Sequence, residues 1–234
     1  LDSGVESLKK VKAQIKRYRQ AVLKAAFEGK LTEDIESNER IAENEGLPNG
    51  WIWKEIKDVG EIVTGTTPSK SNKEYYGRDF PFFKPSDLNA GYYVRSSDDM
   101  LSKNGIEKAR LLPEKSILVT CIGATIGKTG LIRGKGASNQ QINAIIPNST
   151  AIPEYVYFIC ISPQFQKEVL TTASSTTLPI LNKSRFSQLP IPLPPLPEQH
   201  QIVSEIERRF SVADEAEKIV DQSLKQAERL RQSI

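Results

Sequence analysis

The sequence contains one histidine, two cysteines and one methionine in 234 residues, and each scarcity removes a class of chemistry. A zinc site built on two histidines cannot form, and a Ser–His–Asp triad would depend on His200 alone. His200 stands in PEQHQIVSEI, at the head of an amphipathic pattern, and reads as a helix-surface residue. Cys121 and Cys160 lack metal-ligand spacing, so two packed thiols in a reducing, cytoplasmic protein are expected. No stretch of about 18 apolar residues occurs, so no membrane span is expected either. There is no signal peptide, and the first residue is Leu1 rather than Met, as expected of an excerpt from a longer polypeptide. The dinucleotide fingerprint G-x-G-x-x-G, a nucleophile elbow and the Asn/Asp-Pro-Pro-Tyr/Phe of DNA aminomethyltransferases are all missing. The acidic pair Asp98–Asp99 lies in a polar stretch and reads as solvated loop.

One segment imitates a phosphate-binding loop. Residues 121–130 read CIGATIGKTG. A P-loop places four residues between its first glycine and the Gly-Lys pair. Here only Ala124, Thr125 and Ile126 separate Gly123 from Gly127, and Ile122 occupies the position a glycine should hold. The count matters because it sets how many backbone N–H groups wrap the phosphate.

Charge and periodicity organise the rest. Residues 1–30 carry eight basic side chains against three acids, whereas residues 198–234 carry eight acids against six bases. In the first segment Leu8, Val11, Ile15, Tyr18, Val22 and Ala25 alternate spacings of three and four, which predicts a helix of roughly 24 residues stopped at Gly29. Val203, Ile206, Phe210, Ala213, Val220, Ala227 and Ile234 predict a second one from Glu198, with Pro197 at its start. RYRQAV at 17–22 matches RLRQSI at 229–234, an offset of 212 that brings Leu8, Ile15, Tyr18 and Val22 onto Val220, Ala227, Leu230 and Ile234. A repeat that brackets a globular middle is an organising device.

Four segments follow from this: a helix over 1–31, an acidic connector over 32–46, a globular domain over 47–197 and a helix over 198–234. ILVTCIG, GLIRG and NAIIPN read as strands, and PEYVYFICISPQFQKEVLTTA as helix broken near Pro163. The closing PIPLPPLP has PxxP spacing, but joining a domain to a long helix is the simpler job for a stiff segment. The fold class is α+β, one β-rich domain with two long helices forming an antiparallel coiled coil.

At this point the residues carry a resemblance. LPNGW, VTGTTPSK (63–70), FFKPSDL (82–88), ILVTCIGATIGKTG (117–130), ASNQQ (137–141), TTLPILNKSRFSQLPIPLPPLPEQ (176–199) and IVSEIERRF (202–210) follow in order. Together they resemble the DNA-specificity subunit (HsdS) of type I restriction-modification systems, whose members join two target-recognition domains by two long helices. The resemblance implies that this sequence holds one such domain, which reads half of a bipartite target in double-stranded DNA. It also implies modification subunits that carry S-adenosylmethionine and restriction subunits that use ATP, with no cofactor and no catalysis in this chain. The GATIGK loop then belongs to the recognition domain.

Candidate contacts follow from the chemistry of DNA: cations meet phosphates and amides read base edges. Lys70 and Lys73 suit a backbone clamp, as do Thr125 and Lys128 on the glycine turn, with Thr129 beside them. Lys84, Ser86 and Asp87 follow an apolar run, Asn139 and Gln140 form an amide cluster, and Asn182, Lys183 and Arg185 lie in a turn. Tyr92 and Tyr93 could touch sugar or base, although paired tyrosines more often pack. The helix interface is assigned to Leu8, Val11, Ile15, Tyr18 and Val22 with Val220, Ala227, Leu230 and Ile234, within one chain or between two in a homodimer. A protein-binding scaffold is the alternative from another class. The failed P-loop spacing generates one expectation: the chain alone hydrolyses no ATP. Phosphate release that survives purification and is lost in Lys128→Ala would restore the nucleotide reading.

Overall fold

The computed structural model describes residues 2–31, 46–174 and 178–232. All of the acidic connector except Gly46 lies outside them, as does Ile234. The order is α1 (Asp2–Phe27), β1 (Ile52–Glu55), α2 (Ile56–Val59), β2 (Gly60–Thr64), β3 (Tyr76–Phe83), β4 (Met100–Leu101), α3 (Lys103–Lys108), β5 (Ile117–Thr120), β6 (Thr129–Leu131) and β7 (Ala137–Ser138). It continues with β8 (Ile142–Pro147), α4 (Pro153–Cys160), α5 (Pro163–Thr172), α6 (Lys183–Ser187), β9 (Pro190–Leu193) and α7 (Leu196–Gln232). The α+β expectation holds.

Helix α1 stops where glycine permits it. Gly29 takes φ +71°, its N–H donates to the Ala26 carbonyl at 3.2 Å, and the Lys30 N–H donates to Ala25 at 2.8 Å. This is a Schellman turn, and the left-handed residue at its centre is cheap only without a Cβ. Helix α7 starts at Leu196, two residues before the expected Glu198. Pro197 is tolerated there because a first-turn N–H has no intrahelical acceptor to lose. The break near Pro163 is real: Ser162 caps α5, accepting from the Phe165 N–H at 3.3 Å.

The two long helices run antiparallel. Lys12 Nζ meets Asp221 at 2.7 Å, while Arg19 reaches Asp214 and Glu217 at 2.6 Å each, so seven residues forward on one helix are seven back on the other. Between them Ile15, Ala213 and Val220 are buried, flanked by Leu8 and Leu224. Part of the expected interface needs correction. Val11, Tyr18 and Leu230 are 39%, 43% and 56% exposed, and Val22 faces the domain core instead of the seam. Ala227 is half-buried. Lys12 and Arg19 stand about 100° around the helix from Val11 and Tyr18. Because these cations face the acids of α7, the seam is rotated toward them and away from Val11 and Tyr18.

The domain is built on an antiparallel sheet in the order β2-β8-β5-β6. Ile62 pairs with Ile145, and Ile145 in turn with Ile117, so the sheet centre is apolar on both neighbours. A smaller sheet, β4-β3-β7, adds a parallel pair of Phe82 with Ala137 and Phe83 with Ser138. Part of the proline-rich exit is itself a strand: β9 pairs with β1, Ile52 opposite Leu193. Proline is accommodated because β9 has one neighbour only and can turn its N–H-less edge outward.

The largest core cluster joins the domain to both helices. Val22, Leu23, Ala26 and Phe27 of α1 pack with Trp51, α4 and the Ile202, Val203 and Ile206 face of α7. Phe27 meets the Tyr155 ring edge-on at 5.5 Å. Gln199 is fully buried with its amide satisfied: Oε1 accepts from Ile152 N–H at 3.0 Å, and Nε2 donates to the Thr150 and Pro194 carbonyls at 3.0 and 2.9 Å.

The corrected seam makes a prediction. Ile15→Asp places a carboxylate in the helix interface and should lower unfolding free energy by about 3 kcal/mol. Val11→Asp, one turn away on a face exposed within the single chain, should stay within about 0.5 kcal/mol of the parent at concentrations where the chain is monomeric. Urea denaturation of both variants decides it, and equal losses would mean that the seam is wrongly placed.

Candidate nucleic-acid interface

An antiparallel sheet gathers alternate connections at each end. Thr64 lies opposite Asn143, Thr120 opposite Ile142, and Val119 opposite Thr129. The chain leaving β2, the turn between β5 and β6, and the turn leading into β8 therefore meet at one end. Two backbone bonds bring in a fourth segment: the Leu181 N–H donates to Cys121 at 2.8 Å and the Gly123 N–H to Pro179 at 3.0 Å. Most of the sequence-derived candidates lie on these four segments.

The glycine turn is a hairpin end. Gly127 N–H donates back to Thr120 at 2.8 Å and Ile126 N–H to Gly123 at 3.0 Å. Gly123 and Gly127 have φ of +98° and +85°, conformations that side chains with a Cβ rarely adopt. Gly127 is also pinned from outside. Gln166 Nε2 donates to its carbonyl at 2.8 Å and to the Cys160 carbonyl at 2.5 Å, and a Cβ on Gly127 would come within 2.4 Å of Gln166 Oε1. Thr125 is exposed and Lys128 half-exposed on this turn. Thr129 is buried and donates to the Gly127 carbonyl at 2.9 Å, so its hydroxyl is not presented to a phosphate.

The amide cluster divides. Asn139 is buried, its Nδ2 donating to Gln141 Oε1 at 2.9 Å and its Oδ1 accepting from the Gln141 N–H at 3.1 Å. That amide shapes a turn and has no free edge for a base. Gln140 is exposed and receives a hydrogen bond from the Thr67 hydroxyl, which ties the chain leaving β2 to the turn into β8. Lys70 and Lys73 are exposed further along that chain, before β3.

In the fourth segment Asn182 caps α6, its Oδ1 accepting from the Arg185 N–H at 2.9 Å. Capping uses the side-chain oxygen and holds Lys183 and Arg185 exposed on the first turn, while Phe186 anchors α6 in the core. The group after β3 differs from expectation as well. Asp87 Oδ2 accepts from the Lys84 N–H at 2.7 Å and the Ser97 hydroxyl at 2.9 Å, and Lys84 Nζ is paired with Asp99. Only Ser86 of those three is exposed with no such tie. Asn139, Asn182, Lys84 and Asp87 are thus engaged within the fold, leaving Thr125, Lys128, Gln140, Lys183 and Arg185 as the outward set at the sheet end.

Two structural supports were missed from sequence: Thr67, which positions Gln140, and Gln166, which props the glycine turn. Gln166 lies in an ordinary helical stretch, PQFQKE, and the turn it props is 39 residues away in sequence, so nothing in spacing marks it. The thiols are interior. Burial pushes Cys121 up to about 12 and raises Cys160 further, and neither is reactive near neutral pH. Among the described residues no group of three or more His, Cys, Asp or Glu could hold a metal, and no helix is long and apolar enough to cross a membrane.

Gln166→Leu removes the donor from two part-buried carbonyls and should destabilise the domain by about 2 kcal/mol. Gly127→Ala should cost at least as much through the strained φ and the contact with Gln166. Thermal unfolding of each, beside the exposed control Gln164→Leu, tests whether the turn is propped in this way.

Comparison with known proteins places the chain in a family. Residues 48–226 match the family described as the type I restriction modification DNA specificity domain. The specificity subunit of the type I restriction enzyme HindI from Haemophilus influenzae is 36% identical over 183 residues, covering 75% of this chain and 39% of that protein. The MjaIX specificity subunit of Methanocaldococcus jannaschii is 31% identical over 162 residues, covering 68% and 37%. A crystal structure of the HsdS subunit from Thermoanaerobacter tengcongensis superposes with a TM-score of 0.61 at 18% identity, over 98% of this chain and 54% of that one. The chain thus spans well under two thirds of the relatives it matches. With the family match extending from the start of the domain far along α7, the chain belongs to the type I restriction-modification DNA-specificity family.

Proposed function

We propose that this chain is a sequence-reading component of a type I restriction-modification complex. Its domain reads one half of a bipartite target, and the antiparallel helix pair sets the distance to the other half. Modification subunits with S-adenosylmethionine and restriction subunits with ATP supply the chemistry, so this chain brings no catalytic group or cofactor. The observation that supports the reading is the outward set at the sheet end. Lys128, Lys183 and Arg185 offer phosphate contacts around Gln140, an exposed amide whose Nε2 is able to donate to a base edge.

A twofold pair of chains is a second element of the proposal. Val11 and Tyr18 on α1, and Val212 and Ile219 on α7, are exposed and spaced by seven residues. Such stripes suit helix packing against another helix. A second copy would bring the second recognition domain.

The test is binding of the chain, assembled with its modification subunits, to methylation-mapped target duplexes over a salt series. Affinity should fall steeply with salt, and each of Lys128→Ala and Lys183→Ala should reduce the slope of log K against log salt by about 1 on every sequence. Gln140→Ala should instead relax preference at one base pair, by about 1–3 kcal/mol. A flat salt response with all three variants silent would favour the protein-binding scaffold.

A further inference from the structure

Where the domain meets α7, the surface opens into a groove of about 550 Å³ that the DNA reading does not use. Its wall is aromatic: Tyr92, Tyr93, Phe158 and Phe210 line it, with Tyr92 stacked on Phe158 at 5.1 Å and Phe158 edge-on to Phe210 at 5.9 Å. Its helical rim is acidic, formed by Glu207, Ser211 and Asp214. The Glu207 carboxylate accepts the Tyr92 hydroxyl and meets no cation among the described residues. Asp214 gives one oxygen to Arg19, yet its side chain stays 69% exposed. Burial, and then the bond to Glu207, hold the Tyr92 phenol well above its ordinary value, so it stays neutral.

This combination has a chemical preference. An aromatic wall with an uncompensated carboxylate attracts a cation carried on an apolar stem, through ring quadrupole and charge together. The same rings already show that chemistry within the chain: the Arg133 guanidinium lies 4.6 Å from the Tyr92 ring centre and 4.8 Å from that of Tyr93, and Arg95 lies 5.6 Å from the latter. A phosphate backbone would be repelled by Glu207 and Asp214. The rim also continues as a groove along α7, past Asp214 to Glu217, Lys218 and Asp221, which suits an elongated chain more than a compact small molecule. We propose that this groove is a docking site for a basic segment of a partner protein, which inserts an arginine or lysine side chain between the aromatic wall and Glu207. The inference is independent of the DNA reading and uses a different surface.

The full chain is titrated with the peptide acetyl-Ala-Leu-Arg-Leu-Arg-Ala-amide and with its glutamate counterpart, acetyl-Ala-Leu-Glu-Leu-Glu-Ala-amide, followed by NMR of the aromatic and α7 resonances. Saturable shifts confined to Tyr93, Phe210 and Ser211 are expected with the arginine peptide only. Glu207→Gln should weaken that binding at least about threefold, and Glu207→Lys should transfer preference to the glutamate peptide. Melting temperatures report folding of each variant, and Ser211→Arg, which fills an exposed groove position, provides a second route to lost binding if Glu207 variants unfold. Equal affinity in parent, Glu207→Gln and Ser211→Arg overturns the proposal. So does displacement of the arginine peptide by duplex DNA, which would assign the groove to the nucleic-acid surface.

Discussion

The fold depends on one buried amide and the core around it. Gln199 stands one turn into α7, fully enclosed, and spends both donors and its acceptor on the backbone of residues 150, 152 and 194. Removing a partner from such a group leaves buried carbonyls and an N–H without a bond, which costs far more than the bond contributes. Beside it, Trp51 and the apolar faces of both helices close the same cluster. The helices are consequently extensions of the domain interior, and the α1–α7 ion pairs only align what the core has already brought together. Those pairs are partly exposed and individually weak, and their value lies in fixing the rotation of one helix against the other.

Much of this was legible in the sequence. The two helices, the Gly29 stop and the break at Pro163 follow from period, glycine conformation and proline chemistry, which are local. The interface residues were legible only in part. Leu8, Ile15 and Val220 were identified, but a spacing of three or four does not tell whether the seam passes through Val11 and Tyr18 or through Lys12 and Arg19. The partner's charges decide, and they are some 200 residues away. The recognition loops show the same limit. Asn139, Asn182, Lys84 and Asp87 have the residue types that contact DNA, and each is used inside the fold by a neighbour that composition does not reveal. Polar residues at turns serve the turn first.

Charge separates the surfaces. The outward set at the sheet end is cationic, while the groove at the root of α7 is aromatic and acidic. A domain arranged in this way has two faces of different electrostatic character, and each face repels what the other attracts.

Helix α7 is a 37-residue arm rooted in the domain core and braced by α1 as far as Leu224. At 1.5 Å per residue it reaches about 55 Å, so a tilt of about 4° at its root carries the tip roughly 4 Å, comparable to one base-pair step of 3.4 Å. The stiffness of the socket around Gln199 therefore acts as an angular tolerance. An arm holds its angle only to the degree that its mounting does not rock, and a fully satisfied buried amide is a mounting with very little play.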